Sequence, residues 1–526
     1  MSTADAPDWV PDAIFYQVFP DRFARHSEAT APELNLEPWE APPTIYGFKG
    51  GTLKGIEERL DYLEELGVNA IYLNPIFQSP ANHRYHTHDY FEVDPILGEK
   101  KDFDSLLAAS HGRGIRIILD GVFNHVGRGF YQFNHVLENG ASSPYVDWFH
   151  LNPDHLENEA GVVAYPGREH REKLGSVGGT YDVLGYRAWA DLPPLPKLNT
   201  DTGAVRELLL RVAEYWIKEG ADGWRLDVPQ EIDDPHFWRE FRRRVRAHNP
   251  QAYLVGEIWT HAADWLRGDR FDGVMNYPFS RNLLGFLGGD SLDKSFTPGG
   301  FPLPQMNGGE LAKDLESHLE GYRPETNTVQ LNLLGSHDTP RLLTLLSGHR
   351  GRAALAMLFL FLLPGAPSIY YGDEVGMSGG EDPECRGGFP WNRDSWDRPL
   401  LESVRSAIAL RKGHPALRRG EYTALLGQED QIVIARWKDG DLVVGAFNRS
   451  DDEATVRLPN STLKERLPTG PDAGDLRPEL LLTGTGGTPA LSGAPRPPRR
   501  REEGLTLHLP PLSGSVYTTA DPGEVR

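Results

Sequence analysis

Residues 223–232 read GWRLDVPQEI. Side chains alternate along a strand, so Arg225 and Asp227 share one face while Trp224, Leu226 and Val228 occupy the other. Pro229 then stops the strand. The bland reading of the polar face is a buried ion pair inside a barrel. The functional reading is a carboxylate held at a strand end by a guanidinium, and the rest of the chain decides between them.

Eight apolar, β-rich stretches recur along the chain: 13–19, 69–75, 115–120, 222–227, 253–257, 272–277, 328–334 and 367–371. Segments of helical periodicity lie between them. In GIEERLDYLEEL (55–66), Ile56, Leu60 and Leu63 fall on one face, and AVRELLLRVAEYWIKEG (204–220) closes on Gly220. This alternation predicts an α/β protein, a (β/α)8 TIM barrel whose functional groups sit at the strand C-terminal ends. Asp120, Asp227, Glu257 and the SHD at 336–338 all fall at or just beyond such ends. The first part of the barrel is expected over 1–125. An inserted subdomain follows the third strand over 126–195, because that connection is too long for a loop. The rest of the barrel spans 196–415. Alternating stretches such as QIVIARW (431–437) and DLVVGAF (441–447) predict a C-terminal antiparallel β-sandwich over 416–526, with a flexible Gly-, Pro- and Arg-rich loop at 468–503.

Composition narrows the function. The chain has 526 residues and a net charge of −21, which disfavours nucleic acid as a partner, since phosphate binding needs a cationic surface. The longest apolar run, AALAMLFLFLL at 353–363, is too short to cross a bilayer and reads as a buried helix. The N-terminal residues lack a basic start and an apolar signal core, so no membrane partner and a cytoplasmic location are expected. The lone Cys385 excludes an intramolecular disulfide.

Three acids at different strand ends then suggest chemistry. Arg225 is expected to lower the pKa of Asp227, while the apolar setting of Glu257 in LVGEIW is expected to raise its own. One carboxylate and one carboxylic acid suit retaining glycoside hydrolysis, with attack by the first and protonation of the leaving oxygen by the second. Asp338, beside His337, is placed to hold sugar hydroxyls and favour the oxocarbenium-like transition state.

Over nearly its whole length the sequence resembles the α-amylase family of glycoside hydrolases. DGVFNH (120–125), GWRLDVPQE (223–231), VGEIW (255–259) and LGSHDTPR (334–341) carry the resemblance, with LPKLN (195–199) at the end of the insert. It implies that Asp227 is the nucleophile, Glu257 the general acid/base and Asp338 the transition-state stabiliser. By the same resemblance His125, Arg225 and His337 line the subsite of the attacked sugar, and Tyr85 stacks beneath it. Asp382 and Arg386 contact the next sugar outward. Trp259 is placed to form a platform for the leaving sugar, the alternative being a packed rim tryptophan.

PKLN, Glu231, WLRGDRFDGVMNYPF (265–279) and YYGDEVGMSGGEDPECR (370–386) look most like the cyclomaltodextrinase, neopullulanase and maltogenic amylase group. That implies a glucan substrate: cyclodextrins, cyclic or short linear maltooligosaccharides, or pullulan, cleaved at α-1,4 and often α-1,6 links, with transglycosylation in many members. An α-glucosidase or a glucosyl or maltosyl transferase is the alternative with the same chemistry, and a non-catalytic barrel that binds carbohydrate or a partner protein, as some family relatives do, is the alternative from another class. Group members typically carry an N-terminal β-domain that helps build a dimer, whereas here the first barrel strand begins near residue 13, so either a monomer or a homodimer is expected. Pro229-Gln230 replaces the group's common Ala-Asn.

No cofactor is expected to be required. ARHSEATAPE (24–33) lacks the Asn and Asp ligands of the calcium loop found in some relatives. A structural calcium near Asn124 is the one metal the resemblance offers, and Gln230-Glu231 in place of the usual Lys-His argues against it. His83, His86 and His88 read as sugar hydrogen-bonding groups rather than a zinc site.

Overall fold

The computed structural model describes residues 6–27, 34–157, 161–468, 473–501 and 503–519. Residues 28–33, within the stretch compared above with a calcium loop, lie outside them. Eight short strands form the centre: β1 (Phe15–Val18), β2 (Ala70–Leu73), β3 (Arg116–Gly121), β4 (Gly223–Leu226), β5 (Tyr253–Gly256), β6 (Gly273–Val274), β7 (Leu331–Leu333) and β8 (Ala366–Tyr370). All pair in parallel, in the order β6-β5-β4-β3-β2-β1-β8-β7. A parallel bridge from Met275 to Leu331 brings β6 to β7, and Asn276 N donates to Leu331 O at 2.8 Å. The sheet is thereby a closed (β/α)8 barrel.

The alternation within β4 sorts its side chains as the sequence implies. Trp224 and Leu226 join the apolar layer between strands and helices, and Arg225 is buried inside the barrel. Helix Gly203–Lys218 covers that outer layer because Val205, Leu209, Val212, Ala213 and Trp216 recur on one face. The helix Arg350–Leu362 is apolar all round from Ala353 onward, where it is buried on every side. Phe359 packs on Phe447 of the C-terminal sheet at 4.5 Å between ring centroids. Each such buried Leu or Phe contributes about 1.5–3 kcal/mol.

Two excursions shape the cleft. Between β2 and β3 a short hairpin, Phe77–Gln78 with Asp89–Val93, holds out the loop that carries Tyr85. Between β3 and β4 the long insert folds around Phe133, Phe149 and Tyr186, with centroids 5.0 Å apart in both pairs made by Phe133. Bridges His125–Lys197 and Phe149–Leu198 tie its return to the barrel rim.

Beyond the barrel, a six-stranded antiparallel sheet faces a three-stranded one across Val433, Val444, Leu458, Leu507 and Tyr517. The 468–503 segment differs from the flexible loop expected. Residues 469–472 and 502 lie outside the described ones, but Arg477–Thr483 pairs antiparallel with Ser513–Thr518, and Arg499–Arg501 pairs with Gly504–Thr506. The Gly and Pro content hid a Leu480-Leu481-Leu482 strand whose Leu482 is buried in the core. No helix among the described residues is long and apolar enough to cross a membrane.

Candidate active site

At the C-terminal mouth of the barrel lies a cavity of about 530 Å³, within the usual size for small-molecule sites. Asp227, Glu257 and Asp338 line it, from just beyond β4, β5 and β7. Tyr85, His125, Trp259, His337, Asp382 and Arg386 line it as well.

Arg225 is different: it is fully buried beneath the carboxylates and touches none of the cavity surface. Its Nη1 lies 2.9 Å from both Asp120 Oδ1 and Asp227 Oδ1, and its Nη2 lies 2.9 Å from Glu257 Oε1, an ion-pair contact not aligned as a hydrogen bond. The expectation that Arg225 lines the sugar subsite is therefore corrected: three carboxylates occupy the guanidinium, and β4 directs it into the barrel interior.

The charge balance also departs from expectation. Burial pushes the Asp227 carboxyl well above the usual range against the pull of Arg225, with Glu257 and Asp120 adding to the rise. Burial likewise raises Glu257, opposed by Arg225 and by the Val228 N–H, which donates to Glu257 Oε2 at 3.2 Å. Arg225 cannot hold Asp227 selectively low, because it serves Glu257 and Asp120 at the same distance.

The second cluster centres on His337. Gln17 Nε2 donates to His337 Nδ1 at 2.9 Å, so His337 Nε2 carries the ring proton. That nitrogen faces Tyr85 Oη at 2.6 Å and Asp338 Oδ2 at 3.1 Å. Tyr85 Oη in turn donates to Asp120 Oδ2 at 2.8 Å. Arg386 Nη2 meets Asp338 Oδ1 at 3.1 Å and its Nη1 meets Asp382 Oδ2 at 2.9 Å. Burial lowers the imidazoles: His125 to about 3 and His86 to about 4, with His83 and His337 held well below the ordinary value. Near neutral pH they are uncharged hydrogen-bonding groups.

The His125 ring lines the cavity and stacks on Trp189 at 5.2 Å. Glu231 is not brought to the cavity. The turn Pro229–Glu231 carries it outward, where it pairs with Lys197 at 3.3 Å with its side chain 41% exposed. Trp189, Leu192, Leu195, Val228 and Gly299 line the cavity without having been singled out from the sequence. Trp189, six residues before LPKLN, carried an aromatic signal; Gly299 carried none.

Asn124 Oδ1 is buried without a partner, one oxygen where calcium takes six to eight. Among the described residues no three His, Cys, Asp or Glu side chains gather as metal ligands. His83, His86 and His88 do not form such a group.

A (β/α)8 barrel presenting several carboxylates around a cleft supplies the paired acids that glycoside hydrolysis uses. The family model for the alpha amylase catalytic domain matches residues 17–394, and the chain belongs to that family of glycoside hydrolases. It is 44% identical over 459 residues to a cyclomaltodextrinase of Geobacillus thermopakistaniensis (strain MAS1), covering 86% of this chain and 71% of that one. Among solved structures, the cyclic alpha-maltosyl-(1→6)-maltose hydrolase of Arthrobacter globiformis superposes with a TM-score of 0.80 at 38% identity, covering 98% of this chain and 100% of that one. The debranching enzyme of Nostoc punctiforme gives a TM-score of 0.83 at 40% identity, covering 98% and 99%.

Proposed function

We propose that this chain is a retaining α-glucan hydrolase acting on cyclodextrins, cyclic or short linear maltooligosaccharides and pullulan. It cleaves α-1,4 links, tolerates α-1,6 links, and transfers to sugar acceptors as well as to water. The observation that carries this reading is the shared contact of Asp227 and Glu257 with one guanidinium. One guanidinium gathers both carboxyls into one site, and the retaining reading requires them about 5–5.5 Å apart there.

In the first step Asp227 attacks the anomeric carbon as Glu257 passes its proton to the leaving oxygen. Burial raises both acids in pKa, and the Arg225 guanidinium beside Asp227 is the charge that favours its ionised form. Asp338, held by Arg386 and His337, faces the sugar hydroxyls. In the second step Glu257, now a carboxylate, takes a proton from water or a sugar hydroxyl, which displaces Asp227 and restores the α configuration.

Glu257→Gln cannot protonate the leaving oxygen, so it should lose activity on natural glucans by two to four orders of magnitude, roughly the scale of general acid catalysis. Activity on an aryl maltoside with a very good leaving group should fall far less. Equal loss on both substrates, or a β-anomer as the first product seen by NMR, would contradict the assignment.

A further inference from the structure

Trp259 lines the cavity two residues beyond Glu257, on the side where the proposed acid meets the leaving sugar. One face of its indole is taken by Tyr277, with ring centroids 3.6 Å apart and planes within 7°. Tyr277 itself is fixed, being 2% exposed and hydrogen-bonded to Ser336 Oγ at 3.1 Å. The indole therefore has no room to retreat in that direction.

Against this ring comes a second element. The segment 288–306, which continues from the helix Tyr277–Leu287, folds back to the cleft and places the turn Pro298–Gly300 on Trp259. Gly299 lines the cavity, with φ +62, and a Cβ built on it would lie 2.3 Å from Trp259 Cε3 and 2.5 Å from Cζ3. No side chain fits there without movement. Its neighbour Gly300 has a similar backbone, φ +81, but a Cβ there meets nothing within 4 Å. Arg281 over Phe301, 4.3 Å from the ring centroid, anchors the segment just past the turn.

We propose that Gly299 is a specificity-determining residue: its missing side chain lets the 288–306 segment close on Trp259 and wall the leaving-sugar side for short or cyclic α-glucans. This rests on the glycosidase reading above. A side chain at 299 has to displace either the indole or the turn. Tyr277 blocks the indole, whereas Gly299 and Gly300 are exposed, so the turn is what lifts. The wall then recedes, and the cleft admits a polymer.

The test compares Gly299→Asn with Gly300→Asn in the full chain. Asn tolerates the left-handed backbone, so the pair differs chiefly in contact with Trp259. Gly299→Ala repeats the test with a methyl alone. The readout is kcat/KM on soluble starch divided by kcat/KM on a cyclodextrin, with thermal melts to verify folding. Gly299→Asn should raise that ratio roughly tenfold, the scale of a methylene-sized change in an apolar pocket, mainly through KM. Gly300→Asn should keep the wild-type ratio. An unmoved ratio in both Gly299 variants, or an equal change in Gly300→Asn, would overturn the proposal while leaving the glycosidase reading intact. A wild type inactive on every α-glucan would overturn both.

Discussion

Arg225 sets the charge of the site without touching the cleft, and Asp120 is the partner through which that charge can be varied. Asp120 is buried and accepts from Arg225 at 2.9 Å, Tyr72 Oη at 2.6 Å and Tyr85 Oη at 2.8 Å. Its negative charge is one of the causes that raise Asp227. Asp120→Asn keeps the shape and removes that charge, so the Asp227 pKa should fall. Because attack needs the ionised form, the acid limb of the kcat/KM profile should move to lower pH, while the rate at the optimum drops as Arg225 loses a partner. A limb that stays in place or moves upward would break the assignment of Asp227 as the group titrating there. The cleft placement of His125 and His337 came from the family resemblance, while the gathering of the three acids at strand ends was legible in the sequence pattern. The sharing of one guanidinium among three carboxylates was not, since Asp120 and Glu257 reach Arg225 from neighbouring strands. Nor was Val228, a β-branched residue in the left-handed region (φ +34) whose N–H meets Glu257.

At the scale of elements, strands announced themselves by apolar runs, and their ends were blurred wherever an apolar helix begins directly after them. The stretch 272–277 yields a strand of two residues because Tyr277 already begins a helix. The insert was legible as a subdomain bordering the cleft, but not which of its residues face inward, because Trp189, Leu192 and Leu195 are scattered among loops without a period. The turn that presents Trp189 and precedes Leu192 is strained, with Ala190 at φ +49 and Asp191 at φ +54. It is held by Asp191 Oδ1, which accepts from Thr180 N at 2.7 Å and Thr180 Oγ1 at 3.0 Å. Two consecutive residues in this region cost about 1–3 kcal/mol each, so the turn persists only while something overrides that cost. Asp191→Ala should release it. The expected result is a several-fold rise in KM for maltooligosaccharides, a smaller change in kcat and a small drop in Tm. Unchanged KM in a folded variant would show that the turn does not shape the cleft.

At the scale of the whole molecule, the barrel must join its first strand to its last, and a buried acid sits at that seam. Glu374, just beyond β8, is wholly buried and accepts from Tyr16 Oη of β1 at 2.8 Å, Tyr62 Oη at 2.5 Å and Gly372 N at 2.9 Å. Burial pushes its carboxyl up to about 7, with the two phenols pulling the other way, and burial carries Asp373 to about 6 against Arg341. A carboxyl whose folded pKa is raised holds its proton more tightly when folded. Its contribution to stability is therefore present at low pH and is lost as pH rises from the unfolded value through the folded one. For Glu374 that loss runs from about pH 4.5 to about 7 and amounts to about 3 kcal/mol. Glu374→Gln keeps the size and the acceptor oxygen but has no proton to lose. Thermal melts between pH 5 and 8 should show the wild type falling in Tm while the variant falls much less, with the remainder due to Asp373 and ending near pH 6. The sign separates this seam from the protein's ion pairs, such as Arg244 with Glu240. That carboxylate is held at about 2, so it loses its stabilising effect on acidification rather than on alkalinisation. A Tm difference between variant and wild type that stays constant across this range would mean that Glu374 is ionised throughout, and that the barrel seam tolerates a buried charge.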